Sequence, residues 1–239
     1  MLGMTDVRLC YLLLLFACCH AGDHDDQGGG FGDGGDIPGT DNNNDPGGGA
    51  PRPTVIFDID GTLTFNELPL PFVRKGSREA TQLYLDLGYE IILLSARPCL
   101  TQWQADIVLW LYKFPTDEFL KIVCSPNVIW DPDMRGWFKL RVMKELRDEW
   151  NLVYTHAYGD QPSDFGVYHA LGIPQSNVFA FRRLFEPDCS PGLYADCMED
   201  YVTHNILYIA RQPFVPRPDP AGRSGAIRLI MDNNNHTRR

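Results

Sequence analysis

The stretch Pro53-Thr-Val-Ile-Phe-Asp-Ile-Asp-Gly-Thr-Leu-Thr64 organises the chain, and the rest is legible outward from it. Val55, Ile56 and Phe57 form an apolar run that ends in Asp58, the pattern of a strand buried on both faces of a parallel sheet. Asp58 and Asp60 stand two residues apart. In an extended chain both carboxylates then point the same way, at the strand's C-terminal end. Open α/β sheets hold their ligands at that edge. Asp and Gly are also ordinary turn residues, so Asp-x-Asp alone would mark only the end of a strand. The information lies in the whole pattern, three apolar residues followed by Asp-x-Asp-Gly-Thr.

Downstream, apolar strands alternate with segments of helical period. Ser77 to Leu87 is expected to be a helix that Ser77 caps, with Ala80, Leu83, Tyr84 and Leu87 at helical spacing and Gly88 closing it. Glu90 to Ser95 is a second buried strand. Residues 101–112 read as a helix with Trp103, Ile107, Trp110 and Leu111 on one face. Leu120 to Ser125 is a third strand, Phe138 to Trp150 a helix, and Tyr154 to Tyr158 a strand leading into Gly159-Asp160. Asp164 to Leu171 is a helix closed by Gly172, and Asn177 to Phe181 a last strand. This alternation predicts one doubly wound parallel α/β domain with helices on both faces. Neither the gap from Thr62 to Glu90 nor that from Ser95 to Lys139 can hold an inserted cap domain.

The flanks differ in composition. Cys10 to Cys19 is almost wholly apolar, follows Arg8, and is shorter than the roughly 20 residues a membrane span needs. With small residues before Gly22, residues 1–21 read as a secretory signal peptide; an uncleaved anchor is the alternative. Residues 22–52 form an acidic Gly/Asp-rich linker. Its part from 22 to 50 holds 11 of the 22 glycines, seven Asp and no Lys or Arg. That part carries seven of the ten net negative charges, and what remains is not basic, which argues against a nucleic-acid partner. The domain is expected over 53–211, and 212–239 is a Pro-rich, polar tail containing a sequon at Asn235. Four of the seven cysteines, Cys99, Cys124, Cys189 and Cys197, fall in the domain. In an exported protein they predict two disulfides, Cys189–Cys197 across Pro191-Gly192 and Cys99–Cys124 at adjacent strand ends. No protein partner is inferable.

Four pieces follow one another along the domain: Asp58-Ile-Asp60-Gly61-Thr62; Ser95 with Ala96-Arg97-Pro98; Lys139 on a helix, with Lys144 as its rival; and Gly159-Asp160-Gln-Pro-Ser-Asp164. In this order they resemble the motif set of the haloacid dehalogenase (HAD) superfamily, most of whose members are phosphatases. The resemblance implies a phosphoryl transfer. Asp58 would be the nucleophile that forms an acyl-phosphate. Asp60 would be the acid and base at the leaving oxygen. Thr62 and Ser95 would complete the catalytic set, Ser95 as a hydrogen-bond donor to the phosphoryl group. Lys139 would balance charge. Gly61 and Arg97 would contact substrate. Asp58, Asp160 and the carbonyl of Asp60 would hold Mg²⁺, a hard cation suited to carboxylate and water ligands, and Asp164 would bind the ion through water or orient Lys139.

From about Val55 to Ile209 the chain is also similar to the lipin-type domain of phosphatidate phosphatases and of RdgB/Nir-type phosphatidylinositol transfer proteins. Asp86-Leu-Gly-Tyr89, Ala96-Arg-Pro98, Ala157-Tyr-Gly159 and Val167-Tyr-His-Ala-Leu-Gly-Ile-Pro174 carry that likeness. It implies phosphatidic acid, or the membrane surface that presents it, as substrate or partner. The transfer-protein domains are regarded as phosphatidic-acid sensors with degraded motifs, whereas here Asp58, Asp60, Thr62, Asp160 and Asp164 are all present. A non-catalytic lipid-binding module and a secreted phosphatase of soluble esters are the alternatives. Arg74 and Lys75 are expected to face an anionic surface, in a loop made apolar by Phe65, Leu68, Leu70, Phe72 and Val73.

Overall fold

The structure is a computed structural model and describes residues 50–65 and 72–216. The expected signal peptide, nearly all of the acidic linker, Leu68 and Leu70 of the apolar loop, the tail from residue 217 and its sequon lie outside the described residues.

Six strands form one sheet in the order β3-β2-β1-β4-β5-β6. They are β1 (Arg52–Asp58), β2 (Glu90–Pro98), β3 (Lys121–Ser125), β4 (Leu152–Gly159), β5 (Val178–Phe181) and β6 (Asp196–Met198). Every pairing is parallel. The helices are α1 (Ser77–Asp86), α2 (Gln102–Leu111), α3 (Pro132–Trp150), α4 (Pro162–Ala170) and α5 (Val202–Leu207). Among the described residues no further sheet or helical bundle is inserted. The chain is thus the doubly wound α/β fold that the alternation predicts. The winding reverses between β1 and β4, which places a topological switch point at the end of the Asp58 strand.

Strand alternation sorts the core into two layers. Val55, Phe57, Ile91 and Leu93 point to the side covered by α1 and α2. Ile56, Ile92 and Leu94 point to the side covered by α3 and α4. Three polar side chains inside the first layer pair with one another. The Tyr84 hydroxyl lies 2.8 Å from that of Tyr158, which is 2.9 Å from His204 Nε2. That histidine brings α5 onto the sheet, its ring 4.4 Å from the ring of Phe179.

Several boundaries differ from expectation. Ser77 does not cap α1. The cap is Gly76 at φ 78°, and Ser77 is the first helical residue. Gly76 lies against α5, where its carbonyl accepts from Asn205 Nδ2 at 2.9 Å. α3 begins six residues before Phe138, because Asp131 caps it and Pro132 takes its first position. The expected apolar face of α2 is turned outward. Ala105, Val108 and Leu109 fill the core, while Trp103, Ile107, Trp110 and Leu111 are exposed. β6 and α5 have no strong periodicity and were not expected. β6 is three residues long and is tied at Cys197 to Cys189.

Both expected disulfides are present. Such bonds persist in oxidising surroundings. Cys99–Cys124 closes a loop across 25 residues and joins the end of β2 to β3. A bond over that separation stabilises a fold by about 3 kcal/mol through the unfolded chain. Replacing Cys99 and Cys124 together by Ala is expected to lower unfolding free energy by about that amount. Urea titration of the wild-type and double-variant proteins, with the Cys189–Cys197 bond verified by peptide mapping, measures it.

Candidate functional site

The alternation that aims Ile56 toward α3 and α4 aims Asp58 the same way, two residues on. There it meets Lys139 of α3, whose Nζ donates to Asp58 Oδ1 at 2.6 Å and to Asp164 Oδ1 at 2.7 Å. All three side chains are buried. Asp164 stands in the first turn of α4. Its Oδ2 accepts from the backbone N–H of Gln161 at 3.2 Å and of Asp160 at 3.4 Å, in a capping box that also fixes the loop after β4. Lys144 does not join this cluster.

Asp160 follows β4 directly. Its Oδ2 takes the Nε of Arg183 at 3.2 Å. Its Oδ1 is buried with no hydrogen-bond partner. Asp58, Asp160 and Asp164 each offer a carboxylate oxygen, and these oxygens lie within 4.8 Å of one another. A buried acceptor left without a donor is costly. Three convergent carboxylates, with one buried Asp160 oxygen lacking a partner among the described residues, fit a hard cation such as Mg²⁺.

Asp60 stands apart from that trio. Its carboxylate accepts from Ser95 Oγ at 3.1 Å and from Arg97 Nε at 3.3 Å, and a second Arg97 nitrogen pairs with its other oxygen. The Ser95 hydroxyl also accepts the N–H of Arg97 at 3.0 Å, and Arg97 Nη1 reaches Gln104 at 2.7 Å. Between the two Asp residues of the motif and the rest of the chain, Gly61 turns at φ 83° with its Cα against Asp160. A Cβ at this position would collide with the Asp160 carboxylate. Thr62 is fully buried, and its hydroxyl has no partner.

Two arginines matter here beyond those the sequence singled out for the site. Arg74 does not face a surface: it is 1% exposed. Its guanidinium donates to the carbonyls of Gly61 at 2.9 Å, Glu199 at 2.7 Å and Arg182 at 2.8 Å, between the rings of Phe65 and Phe181. It therefore pins the Asp-x-Asp-Gly turn to the β5–β6 side. The reason is geometric: Thr64 and Val73 form an antiparallel bridge, which brings the next residue back under the turn. Arg183, on Asp160, comes two residues after the last long strand. A basic pair directly behind a strand that ends at the ligand edge is the signal that would have found it.

The charges compete. Burial alone would push the Lys139 ammonium down, but Asp164 and Asp58 outweigh it and hold it above its ordinary value. The carboxylates that this one ammonium cannot neutralise are pushed up. Burial, joined by repulsion from Asp164, Asp160 and Asp60, raises Asp58 well above the usual range. Burial and then Asp164 push Asp160 up to about 7, against Lys139, Arg183 and Arg74. A divalent cation would replace those protons.

A family model described as "PITM 1-3, LNS2 domain" matches residues 55–182. Membrane-associated phosphatidylinositol transfer protein 3 of Mus musculus is 31% identical over 134 residues, covering 54% of this chain and 13% of the relative. Membrane-associated phosphatidylinositol transfer protein 1 of Rattus norvegicus is 28% identical over 156 residues, 63% of this chain and 12% of the relative. The chain thus spans about an eighth of the length of these curated relatives. Among solved structures, D,D-heptose 1.7-bisphosphate phosphatase from B. bronchiseptica matches with a TM-score of 0.45 at 12% identity, covering 64% of this chain and 97% of that one. That likeness is too distant to bear on activity.

The raised Asp160 has a consequence for stability. Its folded form holds a proton that the unfolded chain releases near pH 4. Its contribution is therefore full below pH 4 and is lost as pH rises through about 7. Buried His156 and His204, pushed down to about 4 by burial, act in the opposite sense between pH 4 and 6.5. The Asp160 part is read as the difference between wild type and Asp160→Asn. With a chelator present, wild type is expected to lose stability relative to the variant between pH 4 and 7, and Mg²⁺ to restore it. Thermal unfolding across that range measures this.

Proposed function

The chain belongs to the PITM 1-3 LNS2 domain family, and from that premise we propose that it is a Mg²⁺-dependent phosphomonoesterase of the HAD type, acting on phosphatidic acid or a related phospholipid. The observation that carries the reading is the buried ammonium of Lys139 bridging Asp58 and Asp164, beside an Asp160 oxygen that lacks a partner. A buried cation against the nucleophile offsets the repulsion between a carboxylate and a phosphate.

In this reading Asp58 Oδ attacks phosphorus, the P–O bond to the leaving alcohol breaks, and an aspartyl-phosphate forms. Asp60 gives the leaving oxygen its proton and then takes one from the water that hydrolyses the acyl-phosphate. Ser95 donates to a phosphoryl oxygen. Lys139 keeps Asp58 oriented, and Gly61 lets Asp160 come close. Asp58, Asp160, Asp164 and the Asp60 carbonyl would hold Mg²⁺, which would supply charge compensation to the phosphate. For Asp60 to act, Arg97 has to exchange its carboxylate for the phosphate, the anion it is expected to bind.

That requirement also supports a second reading. Asp60 is held by Arg97 and Ser95, and the relatives are named as transfer proteins rather than phosphatases. A module that binds phosphatidic acid without turning it over would use the same cluster with Asp60 kept by Arg97. We place the active protein in the lumen of the secretory pathway or outside the cell. The two disulfides support this, together with the apolar N-terminal sequence. Among the described residues no helix is long and apolar enough to cross a membrane. The functional domain is taken as 53–211.

Asp58→Asn removes the nucleophile's charge with little change of shape. It is expected to reduce Mg²⁺-dependent phosphate release by about 10³-fold or more while leaving the fold intact. Phosphate release from phosphatidic-acid vesicles and from a soluble phosphomonoester, for both proteins, decides the matter. Vesicle binding without release from either substrate would replace the enzyme by the binding module.

A further inference from the structure

In an all-parallel sheet every connection that leaves a strand's C-terminal end does so at one edge, here the edge of the candidate site. Four of these five connections display a large apolar side chain to solvent. Phe72 follows β1, Leu100 and Trp103 follow β2, Trp130 follows β3 and Phe185 follows β5. Leu100 is 88% exposed, Trp130 83% and Phe185 95%. Single exposed apolar residues need no explanation, but a set of them on the connections at one edge of the sheet does. Phe185 adds a second anomaly. Its φ of 67° is a left-handed conformation that bulky residues seldom adopt, and it holds the ring out in water.

We propose that this rim is a bilayer-docking surface that seats the domain, site down, on a phospholipid membrane. The inference rests on the phosphomonoester reading only for the identity of the headgroup presented. A fluid, nearly flat surface accommodates side chains from four separate loops at once and leaves the central opening facing a headgroup. Trp is enriched at the level of lipid headgroups, where a ring with one apolar and one polar edge is satisfied. Charge favours this occupant over a second copy of the chain. Two copies joined rim to rim would oppose one cluster of buried carboxylates to another. A phosphate headgroup instead meets the guanidiniums of Arg97 and Arg183, which flank the opening from the β2 and β5 sides. Seven of the ten net negative charges lie in residues 22–50 and what remains is not basic, so attachment is expected to come from apolar insertion rather than from a basic face.

The test uses vesicles of phosphatidylcholine with phosphatidic acid, a chelator to prevent headgroup loss, and the variant Leu100→Ser/Trp130→Ser/Phe185→Ser. Wild type is expected to sediment with the vesicles, and the variant to bind at least tenfold more weakly. Raising salt is expected to change wild-type binding less than twofold. Wild-type Trp emission is expected to fall by at least a third on vesicles containing brominated phosphatidylcholine, a readout that does not depend on the variant folding. Turnover of a soluble phosphomonoester with Mg²⁺ is expected to agree within twofold between the two proteins. Loss of vesicle binding in the variant with no soluble turnover by either protein would sink the phosphatase and leave the rim standing. Equal binding by both proteins, or bound vesicles that quench no Trp emission, would overturn the rim. So would a wild-type dimer that the variant splits while neither binds lipid.

Discussion

The structure depends on one buried ammonium. Lys139 reaches from α3 into the sheet edge and holds Asp58 of β1 and Asp164 of α4 with one nitrogen. A buried charge is tolerable only when it is paired and its hydrogen-bonding capacity is met. With three buried carboxylates around it, Lys139 can satisfy two; the third, Asp160, is shared with the half-exposed Arg183 and keeps one oxygen without a hydrogen-bond partner among the described residues, and that imbalance defines the site. The strand, both helices and the loop after β4 are each fixed by a group that answers to this nitrogen, directly or through the Asp164 cap.

The surrounding polar contacts have a similar economy. Arg74 spends its donors on main-chain carbonyls of three different segments, including Gly61 and Arg182. The turn that carries Asp60 and Gly61 is thus held from below by a guanidinium and from above by Arg97. Gly61 has no side chain for Asp160 to avoid, and Asp160 fills the space instead. The Gly61 side of the turn is held through main-chain carbonyls, and the Asp60 side through the Arg97 side chain.

Much of this was legible in the sequence. The β1 pattern and the strands around it carry strong local signals, because buried parallel strands are continuous apolar runs; Ser95 and Lys139 are ordinary residues taken singly, and only the order of the four pieces marks them. Arg74 was not legible. An arginine beside Lys75 in a loop reads as a surface charge, and only the bridge between Thr64 and Val73 folds it under the turn. The outward face of α2 was not legible either, since an apolar stripe at helical spacing normally marks a core. The start of α3 was readable from Asp131-Pro132, a cap followed by a residue suited to the first helical position. β6 was beyond reach: three residues give no period, and its place is set by its neighbour and a disulfide.

The strand order divides the sheet into two sequence-contiguous halves. β1, β2 and β3 come from residues 52–125, and β4, β5 and β6 from 152–198, each half with its own internal disulfide. They meet along a single seam, the pairing of β1 with β4 across about 100 residues. Asp58 belongs to the first half, Asp160 and Asp164 to the second, and Lys139 to the helix between them. The contacts within each half close shorter loops than the β1–β4 seam does, and the longer loop carries the larger closure entropy. The acidic cluster is therefore created only by the docking of the halves. Competence at the site is a direct report that β1 and β4 have paired.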